Sequence, residues 1–355
     1  MKALIALSGG VDSSVAAFCM QNTGYDCIGV TLRLFEDAPP APGRCRPCCS
    51  LEDVNDARAV ATRLGMPHYV LNFCEDFKRS VIEPFIATYR EGQTPNPCIE
   101  CNRRIKFETL FLRTRQLAFD YLVTGHYARI EKSGSRFLLK KAVDTAKDQS
   151  YVLYMLNQEQ LAGIQFPLGT MTKSAVREIA AAQSLATAKK HDSQDICFAP
   201  DGDYARFIEQ YTGIPCPAGD IMSTEGVKVG THHGLIRYTL GQRRGLGLSF
   251  NTPRYVCAKD PAHNTITIGG EEALYTQSLC IQRVNLIACE RLTSPLRVQV
   301  KTRYLQKAAP AVAEQLEPDR IRVRFDKPQR AITPGQSAVL YEEETVIGGG
   351  IIVPL

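Results

Sequence analysis

Cys101 has sequence neighbours that favour a reactive thiolate. It follows the segment Thr94–Cys98, in which two prolines favour an extended chain, and it precedes a helix expected to begin near Ile105. Three cations surround that point, namely Arg103, Arg104 and Lys106. Because a helix N-terminus and nearby positive charge both lower the pKa of a thiol, the sequence predicts a reactive Cys101. A buried structural cysteine is the alternative.

A second cysteine, Cys197, lies in the segment Asp192–Phe198. Two separated cysteines permit persulfide chemistry, in which one thiol carries an extra sulfur and the other attacks the S–S bond. Taken alone, Cys197 beside Ile196 and Phe198 is better explained by core packing. Sulfur transfer is therefore a hypothesis that needs both cysteines.

The segment Ser8–Ser14 has the composition of an anion-binding loop. It follows an apolar stretch, Ala3–Leu7, and opens a predicted helix. Gly9 and Gly10 permit a tight turn in which backbone N–H groups converge on an anion, and the helix N-terminus adds partial positive charge. A pyrophosphate site is therefore predicted, with a capped glycine turn as the alternative.

Three polar side chains of this loop have expected roles. We expect Ser13 and Ser14 to add hydroxyl donors to the phosphates. Asp12 would repel phosphate unless it meets a cation, so a bound Mg²⁺ is predicted beside it. The chain contains no Gly-Lys pair and hence no Walker A motif.

Other cysteines leave metal binding open. Cys45-x-x-Cys48 is followed by Cys49, and Cys98-x-x-Cys101 lies about 50 residues further on, whereas zinc ribbons space such pairs by about 15–20 residues. Zinc is one alternative to a metal-free route. An iron–sulfur cluster on Cys98, Cys101 and Cys197 is another.

Composition limits the class of protein. The chain has 355 residues and 44% hydrophobic residues, enough for two or three domains with real cores. Its thirteen cysteines are an odd number, which argues against a complete disulfide framework. No apolar run approaches the length of a membrane helix, so we expect a cytoplasmic protein with reduced thiols and no membrane partner.

Residues 283–330 hold 11 Lys and Arg against 5 Asp and Glu, which suits a polyanionic partner or a solvated β surface.

The order of predicted elements indicates an α/β fold followed by β structure. The predicted strands of the first half are Ala3–Leu7, Cys27–Leu34, His68–Phe73 and Tyr121–Thr124. The predicted helices are Ser13–Asn22, Leu51–Leu64, Phe77–Tyr89, Ile105–Leu117 and Thr172–Ser184. This alternation predicts a doubly wound parallel sheet, which binds ligands at the carboxyl ends of its strands.

Short strands such as Arg297–Tyr304 and Arg320–Phe325 predict a C-terminal antiparallel β-barrel. The predicted domains are 1–203, a small central domain 204–278, and the barrel 279–355.

The ordered set of motifs resembles a known family. Ser8–Ser14 resembles the loop of the PP-loop ATP pyrophosphatases, and the whole set resembles the tRNA-specific 2-thiouridylase family. The other matching segments are Asn96–Phe107, Thr124–Arg129, Lys147–Tyr151, Asp192–Phe198, Tyr238–Gly247, Arg303-Tyr304 and Pro334–Gln336. One departure is Cys98, since many members have Asp after the Asn-Pro pair.

The resemblance implies adenylation of the 2-carbonyl of a wobble uridine in tRNA, followed by sulfur transfer. Cys197 would receive a persulfide from a cysteine desulfurase or sulfur-relay protein, and Cys101 would act as the nucleophile that releases sulfur to the base. The implied ATP contacts are Ala6, Leu7, Ser8, Gly9, Gly10, Val11, Asp12, Ser13, Leu32 and Gly125. The implied tRNA contacts are Asn96, Pro97, Cys98, His126, Lys147, Asp148, Gln149, Arg303, Tyr304 and Gln336.

Two other function classes stay open at this point. A nitrogen-adding PP-loop ligase would use the nucleotide loop but leave Cys101 and Cys197 without a role. A non-catalytic tRNA-binding module would not need an intact Ser8–Ser14 loop. His126 and Tyr127 are expected to stack on or bond a splayed base, with ordinary packing as the alternative.

Overall fold

The computed structural model describes residues 1–35, 51–191, 196–199 and 201–354. The chain forms two compact units, and neither is contiguous in sequence. Unit 1 comprises Met1–Ile82, Pro97–Gly202 and Glu343–Gly348. Unit 2 comprises Glu83–Asn96, Asp203–Glu342 and Gly349–Leu355. The predicted boundaries of three consecutive domains stay a prediction.

The described α-helices follow in chain order. They are α1 (Val11–Asn22), α2 (Leu51–Arg63), α3 (Cys74–Phe77), α4 (Glu83–Arg90), α5 (Pro97–Glu100), α6 (Phe111–Gln116), α7 (Gln158–Ala162), α8 (Lys173–Ala182) and α9 (Tyr204–Thr212). Two π-helical segments, Lys78–Ile82 and Cys101–Leu110, follow α3 and α5 directly. None of the helices in the described ranges is long and apolar enough to cross a membrane.

The described strands complete the two units. They are β1 (Lys2–Ala6), β2 (Asp26–Arg33), β3 (His68–Asn72), β4 (Tyr121–Val123), β5 (Ala128–Ser133), β6 (Arg136–Lys141), β7 (Ile164–Gln165), β8 (Gly219–Ser223), β9 (Lys228–His232), β10 (Tyr255–Asp260), β11 (Thr265–Gly269), β12 (Tyr275–Leu286), β13 (Leu296–Lys301), β14 (Ala309–Glu317), β15 (Arg320–Arg330), β16 (Ser337–Glu342) and β17 (Thr345–Val353).

The centre of unit 1 is a five-stranded parallel sheet with the order β3-β2-β1-β4-β7. Ala3, Leu4 and Ile5 of the central strand β1 are completely buried, as expected for a strand covered on both faces. The same core includes Val15 and Ala16 of α1. The predicted doubly wound parallel sheet is confirmed, and the carboxyl end of β1 leads directly into the glycine loop.

Unit 2 contains a four-stranded sheet, with the order β10-β11-β8-β9, and a β-barrel. The six barrel strands have the order β12-β15-β14-β13-β16-β17, and pairing of β12 with β17 closes the ring. In β15 the buried residues Ile321, Val323 and Phe325 alternate with exposed arginines, so one face of the strand fills the barrel. The predicted small central domain and C-terminal barrel are confirmed.

The segment Glu343–Gly348 belongs to unit 1, although it lies far along the chain from the rest of that unit. Arg129 Nη2 contacts Glu344 Oε2 at 2.6 Å, and the backbone N–H of Lys141 donates to the carbonyl of Glu344 at 2.8 Å. Thr345 pairs with Lys140 in an antiparallel register. This segment therefore extends the β5–β6 hairpin of unit 1.

Two predicted boundaries are wrong. The helix that carries Cys101 begins at Pro97 instead of near Ile105, because proline is well tolerated in the first turn of a helix. The predicted strand Arg297–Tyr304 ends at Lys301, so the Arg303-Tyr304 pair lies in the turn that follows β13. Both differences change the surroundings of predicted site residues.

Candidate nucleotide site and cysteines

The glycine loop joins β1 to α1 at the carboxyl edge of the parallel sheet. Gly9 has φ +72°, and a Cβ there would lie 2.3 Å from the carbonyl oxygen of Asp53. Only glycine fits this left-handed, crowded position. The backbone N–H groups after it lead into the first turn of α1, where no side chain caps the helix. This arrangement suits an anion at the helix N-terminus.

The expected roles of Ser13 and Ser14 as phosphate donors are not supported, because both side chains are buried and bonded inside the loop. Ser13 Oγ accepts from Ser8 N at 3.1 Å and donates to the carbonyl of Gly10 at 3.1 Å. Ser14 Oγ donates to the same carbonyl at 2.8 Å and accepts from Thr187 at 2.9 Å. These hydroxyls hold the loop in shape, and the backbone remains as the anion-binding surface.

The other implied ATP residues lie at the same edge of the sheet. Leu32 is near the end of β2 and is buried. Gly125 follows β4, and a Cβ on it would lie 2.7 Å from both Asp12 C and Ser13 N. The first turn of α1 therefore packs directly against the backbone at Gly125. The structure brings the implied ATP residues of Ala6–Ser13, Leu32 and Gly125 to one edge of unit 1.

Asp12 binds two side chains that the sequence analysis did not identify. Lys173 Nζ lies 2.7 Å from Asp12 Oδ1 and 2.8 Å from Oδ2. The hydroxyl of Tyr127 donates to Oδ1 at 2.7 Å. Asp12 and Lys173 are 161 residues apart, so no local pattern indicates the pair. In this structure an ammonium group contacts the carboxylate of Asp12, and the predicted Mg²⁺ stays a prediction.

Lys190 holds the glycine loop from the other side. Its Nζ donates to the carbonyl of Gly9 at 3.0 Å and contacts Asp53 and Asp56, each at 2.6 Å. Burial opposes the charged ammonium, but its hydrogen bonds to the two carboxylates and their negative charge outweigh burial and raise the pKa of Lys190. Lys190 therefore stays protonated and fixes Gly9 against α2. The partners of Lys190 lie 134 to 181 residues away, so no local sequence pattern indicates its role either.

His126 and Tyr127 are enclosed by protein. His126 is 9% exposed, its Nδ1 lies 2.7 Å from Thr124 Oγ1, and the rings of Phe107 and Phe166 flank it. Burial, with a smaller contribution from Lys106, lowers the pKa of His126 well below its ordinary value, so the imidazole is neutral at pH 7. Tyr127 is 2% exposed. The expectation that these rings stack on a base is not supported, because neither offers an open face.

The segment Lys147–Gln149 is organised by internal hydrogen bonds. Asp148 is 7% exposed, and its carboxylate accepts from the N–H groups of Ala142 and Ser150 and from the Ser150 hydroxyl. Gln149 Oε1 accepts from the N–H of Tyr127 at 3.0 Å. Gln149 thus links this segment to Tyr127, the residue that binds Asp12. Lys147 is half-buried.

Cys98 and Cys101 lie in one helical turn of unit 1. Cys98 is the second residue of α5 and is exposed, whereas Cys101 begins the π-helical segment and is half-buried. The helix N-terminus therefore adjoins Cys98 and not Cys101, contrary to the expectation. Asn102 is buried and donates from Nδ2 to the carbonyl of Val152 at 3.1 Å. This bond fixes the helix next to Cys101.

Cys197 lies in a short turn of unit 1 and is half-buried. The N–H of Ala199 donates to the carbonyl of Ile196 at 3.0 Å, which closes the turn around it. The neighbouring Phe198 is 8% exposed and packs edge-on against Phe77 at 6.0 Å. Phe198 therefore anchors the turn and leaves Cys197 at its edge. Residues 192–195 of the same motif lie outside the described residues.

Metal-ligating side chains do not cluster in the described ranges. No group of three or more His, Cys, Asp or Glu side chains there is placed to hold a metal ion. The alternative of a cluster held by Cys98, Cys101 and Cys197 is thus not preassembled in this structure. Three cysteines of the zinc alternative lie outside the described residues, namely Cys45, Cys48 and Cys49.

In unit 2, Gln336 binds the backbone that leads to Asn96. Its Nε2 donates to the carbonyl oxygens of Thr94 at 2.9 Å and Pro95 at 3.3 Å. The N–H of Thr94 donates to the carbonyl of Pro334 at 3.0 Å. Gln336 therefore positions the Thr94–Asn96 segment through its side chain, a role that the sequence analysis did not predict.

Arg303 and Tyr304 lie in the turn after β13. Arg303 Nη2 donates to the carbonyl of Ala331 and to Thr333 Oγ1, both at 2.8 Å. Arg303 is exposed, Tyr304 is half-buried, and the next residue, Leu305, is 90% exposed. These bonds hold the Arg303 guanidinium against the backbone near Ala331, while the apolar side chain of Leu305 extends into solvent. The implied tRNA residues in unit 2 are Asn96, Arg303, Tyr304 and Gln336, and the others lie in unit 1.

Comparison with known proteins accounts for nearly the whole chain. A family model described as the tRNA methyl transferase HUP domain matches residues 1–201. Models described as the tRNA methyl transferase PRC-barrel domain and the aminomethyltransferase beta-barrel domain match residues 205–270 and 276–352. The chain is 48% identical over 353 residues to the tRNA-specific 2-thiouridylase MnmA of Clostridioides difficile, covering 99% of this chain and 98% of the relative. The chain belongs to the tRNA-specific 2-thiouridylase family.

Further relatives extend this finding. The chain is 49% identical over 352 residues to the MnmA protein of Moorella thermoacetica, with 98% of each chain covered. It is 46% identical over 351 residues to that of Clostridium kluyveri, with 99% of each covered. Family membership over the full length confirms the resemblance stated from the motifs. The glycine loop lies within residues 1–201, which the HUP-domain model matches.

Proposed function

We propose that this protein is a tRNA 2-thiouridylase that uses ATP and two cysteines to replace an oxygen of a wobble uridine by sulfur. Full-length family membership is the observation that carries the proposal. The glycine loop at the carboxyl edge of the sheet supports the use of ATP, since its backbone is shaped for pyrophosphate. A non-catalytic binding module would have no use for the fixed positions of Gly9 and Gly125.

In the first step the uracil 2-carbonyl oxygen bonds to the α-phosphorus of ATP, and pyrophosphate leaves. The glycine loop and the N-terminus of α1 provide N–H donors for the departing phosphates. Mg²⁺ is part of this proposal, with Asp12 as its ligand, because hard divalent cations prefer carboxylate oxygen. Lys190 keeps Gly9 in place, so the loop needs little rearrangement when the nucleotide binds.

In the second step a Cys197 persulfide attacks C2 of the adenylated uridine through its terminal sulfur, and AMP leaves. The Cys101 thiolate then attacks the inner sulfur of Cys197. The S–S bond breaks, its electron pair stays on the sulfur attached to the base, and a Cys101–Cys197 disulfide forms. An external thiol reduces this disulfide before the next turnover. Cys101 and Cys197 are half-buried, which suits these steps, because each thiol must be shielded from solvent yet accessible to its reaction partner.

The proposed partners are tRNA and a sulfur donor. Turn residues Arg303 and Tyr304, together with the segment ending at Asn96, are proposed to contact the RNA from unit 2. Backbone contact by a cation and stacking by an aromatic ring are common modes of RNA binding. A cysteine desulfurase or sulfur-relay protein is proposed to load Cys197. The cytoplasm is the proposed location, since free thiols are required.

The test is analysis of thionucleosides in tRNA incubated with the protein, ATP, Mg²⁺ and a sulfur source, with and without added iron. We expect 2-thiouridine, AMP and pyrophosphate in both reactions. Labelled nitrogen in the base without labelled sulfur would instead identify a nitrogen-adding ligase. Release of ADP and phosphate would contradict the proposed adenylation, and activity only with iron would favour the iron–sulfur route.

Cysteine variants separate the two proposed roles. Cys197→Ser is expected to abolish thiolation and persulfide loading, whereas Cys101→Ser is expected to abolish thiolation but retain a persulfide on Cys197. Cys98→Ser is the matched control in the same helical turn and is expected to retain most activity. Peptide mass mapping after a single turnover without reductant measures these outcomes. A Cys98–Cys101 disulfide as the main product would reassign the pair.

A further inference from the structure

Lys173 contacts the first turn of α1, which adjoins the proposed phosphate site. Its Nζ binds both carboxylate oxygens of Asp12, at 2.7 and 2.8 Å. Its side chain is 12% exposed and that of Asp12 is 32% exposed, so the pair is partly removed from solvent. Asp12 is the second residue of α1. An ammonium group at this point lies next to the N–H donors of the glycine loop.

The backbone at Lys173 is held by contacts that do not involve its ammonium group. The N–H of Lys173 donates to Asp144 Oδ2 at 2.9 Å, and Thr172 caps α8 by accepting from the N–H of Ala175. The ammonium also lies over the ring of Tyr127, with 5.8 Å between Nζ and the ring centre. Because the contacts that fix the backbone do not involve Nζ, movement of Nζ away from Asp12 does not break them.

The two cations that Asp12 is suited to bind compete for the same oxygens. Oδ1 already accepts from Tyr127 and Lys173, and Oδ2 contacts Lys173. A Mg²⁺ ion bonded directly to Oδ2 would compete with the ammonium there, because two cations close to one oxygen repel each other. When Mg²⁺ arrives with the nucleotide, the ammonium loses its contacts with Asp12 as negative phosphate charge is added to the site.

We propose that Lys173 is a phosphate-binding residue that Asp12 holds in place until Mg²⁺·ATP binds, when Mg²⁺ takes the carboxylate and the ammonium transfers to a phosphate oxygen. This inference rests on the proposed use of ATP and adds a residue to that site. The exchange keeps each charge paired before and after binding. It also opposes the binding of Mg²⁺ alone, because the ion would displace Lys173 from Asp12 when no phosphate is present to replace that contact.

The test measures ATP affinity by titration calorimetry at a series of Mg²⁺ concentrations, without tRNA or a sulfur donor. The variants are Lys173→Met and Lys173→Arg. The matched control is Lys140→Met, which removes the 2.5 Å pair between Lys140 and Glu131 on the β5–β6 hairpin of the same unit. Circular dichroism and urea unfolding establish that each variant is folded.

Lys173→Met is expected to weaken ATP binding at saturating Mg²⁺ by about tenfold or more, since a charge-assisted bond to phosphate is lost. It is expected to lower the half-saturating Mg²⁺ concentration by roughly threefold, because the competing ammonium is gone. Lys173→Arg is expected to retain ATP affinity but to raise the Mg²⁺ requirement, since guanidinium binds carboxylate bidentately. The control is expected to match wild type in both measurements.

Unchanged ATP affinity in Lys173→Met at saturating Mg²⁺ would overturn the phosphate role. A higher Mg²⁺ requirement in Lys173→Met would overturn the exchange, because it would mean that Lys173 only orients Asp12. Since these titrations do not depend on sulfur transfer, a protein that binds Mg²⁺·ATP but fails to thiolate tRNA would contradict the proposed function and leave this inference standing.

Discussion

Gly125→Ala is expected to impair ATP binding by moving the first turn of α1. The backbone at Gly125 has an ordinary φ, so alanine brings no conformational strain there. Its Cβ would lie 2.7 Å from Asp12 C and Ser13 N, and contacts become ordinary only at 3.4 Å. Relief of the clash therefore requires a shift of about 0.7 Å (3.4 minus 2.7), and both opposing atoms belong to the backbone that binds the anion.

The size of the effect follows from this shift. Overpacking of this kind costs about 1–3 kcal/mol of unfolding free energy. A shift of about 0.7 Å in the backbone N–H donors of α1 is expected to weaken ATP binding by about tenfold or more. For comparison, misplacing a reacting group by about 1 Å can lower a reaction rate about a hundredfold. The assays are urea unfolding and titration calorimetry with ATP and Mg²⁺.

Gly24→Ala is the matched control at the other end of α1. Gly24 has φ +84°, and a Cβ there would meet nothing within 4 Å. The variant is expected to lose about 1 kcal/mol through backbone strain alone, while ATP affinity stays at the wild-type value. Wild-type ATP affinity in Gly125→Ala would refute the argument from close contact, and equal loss of affinity in Gly24→Ala would show that general destabilisation is responsible.

Two further predictions concern unit 2. Gln336→Ala is expected to reduce tRNA affinity about threefold to tenfold with unchanged ATP binding, because it releases the Thr94 and Pro95 carbonyls. Filter binding measures the tRNA affinity. The control is Gln329→Ala, because the Gln329 side chain bonds only to backbone of its own strand in the described contacts. Burial lowers the pKa of Lys259 to about 8, so the unfolded chain binds more protons between that pH and the ordinary value of 10.5. Unfolding free energy is therefore expected to rise from pH 8 to pH 10 in wild type relative to Lys259→Met, and a flat difference in urea unfolding would contradict this.

The sequence was sufficient for features that depend on neighbouring residues. The apolar run of β1 followed by Ser8–Ser14 indicated a buried strand, a turn and a helix, and the structure has all three. The alternation in β15 likewise indicated a barrel strand. Each of these depends on a periodicity of a few residues, which a single segment displays.

Features that depend on distant residues were missed. Lys173 and Lys190 lie 161 and 181 residues from their partners Asp12 and Gly9, and each resembles an ordinary surface lysine in its own segment. The start of the helix at Pro97 was missed for a different reason. Proline suits both an extended segment and a first helical turn, so the local pattern did not decide between them.

Part of unit 1 is synthesised late, because Glu343–Gly348 belongs to it. The hairpin strands β5 and β6 leave the ribosome early, but Glu344, which binds Arg129, is synthesised 215 residues after it, together with the residue that pairs with Lys140. The nucleotide-binding unit therefore cannot be completed when its own strands emerge and must wait, with part of its sheet edge unpaired, until most of the barrel has been made. A chain truncated by premature termination would lack this strand, and the unpaired edge would distinguish it from finished protein for chaperones and proteases.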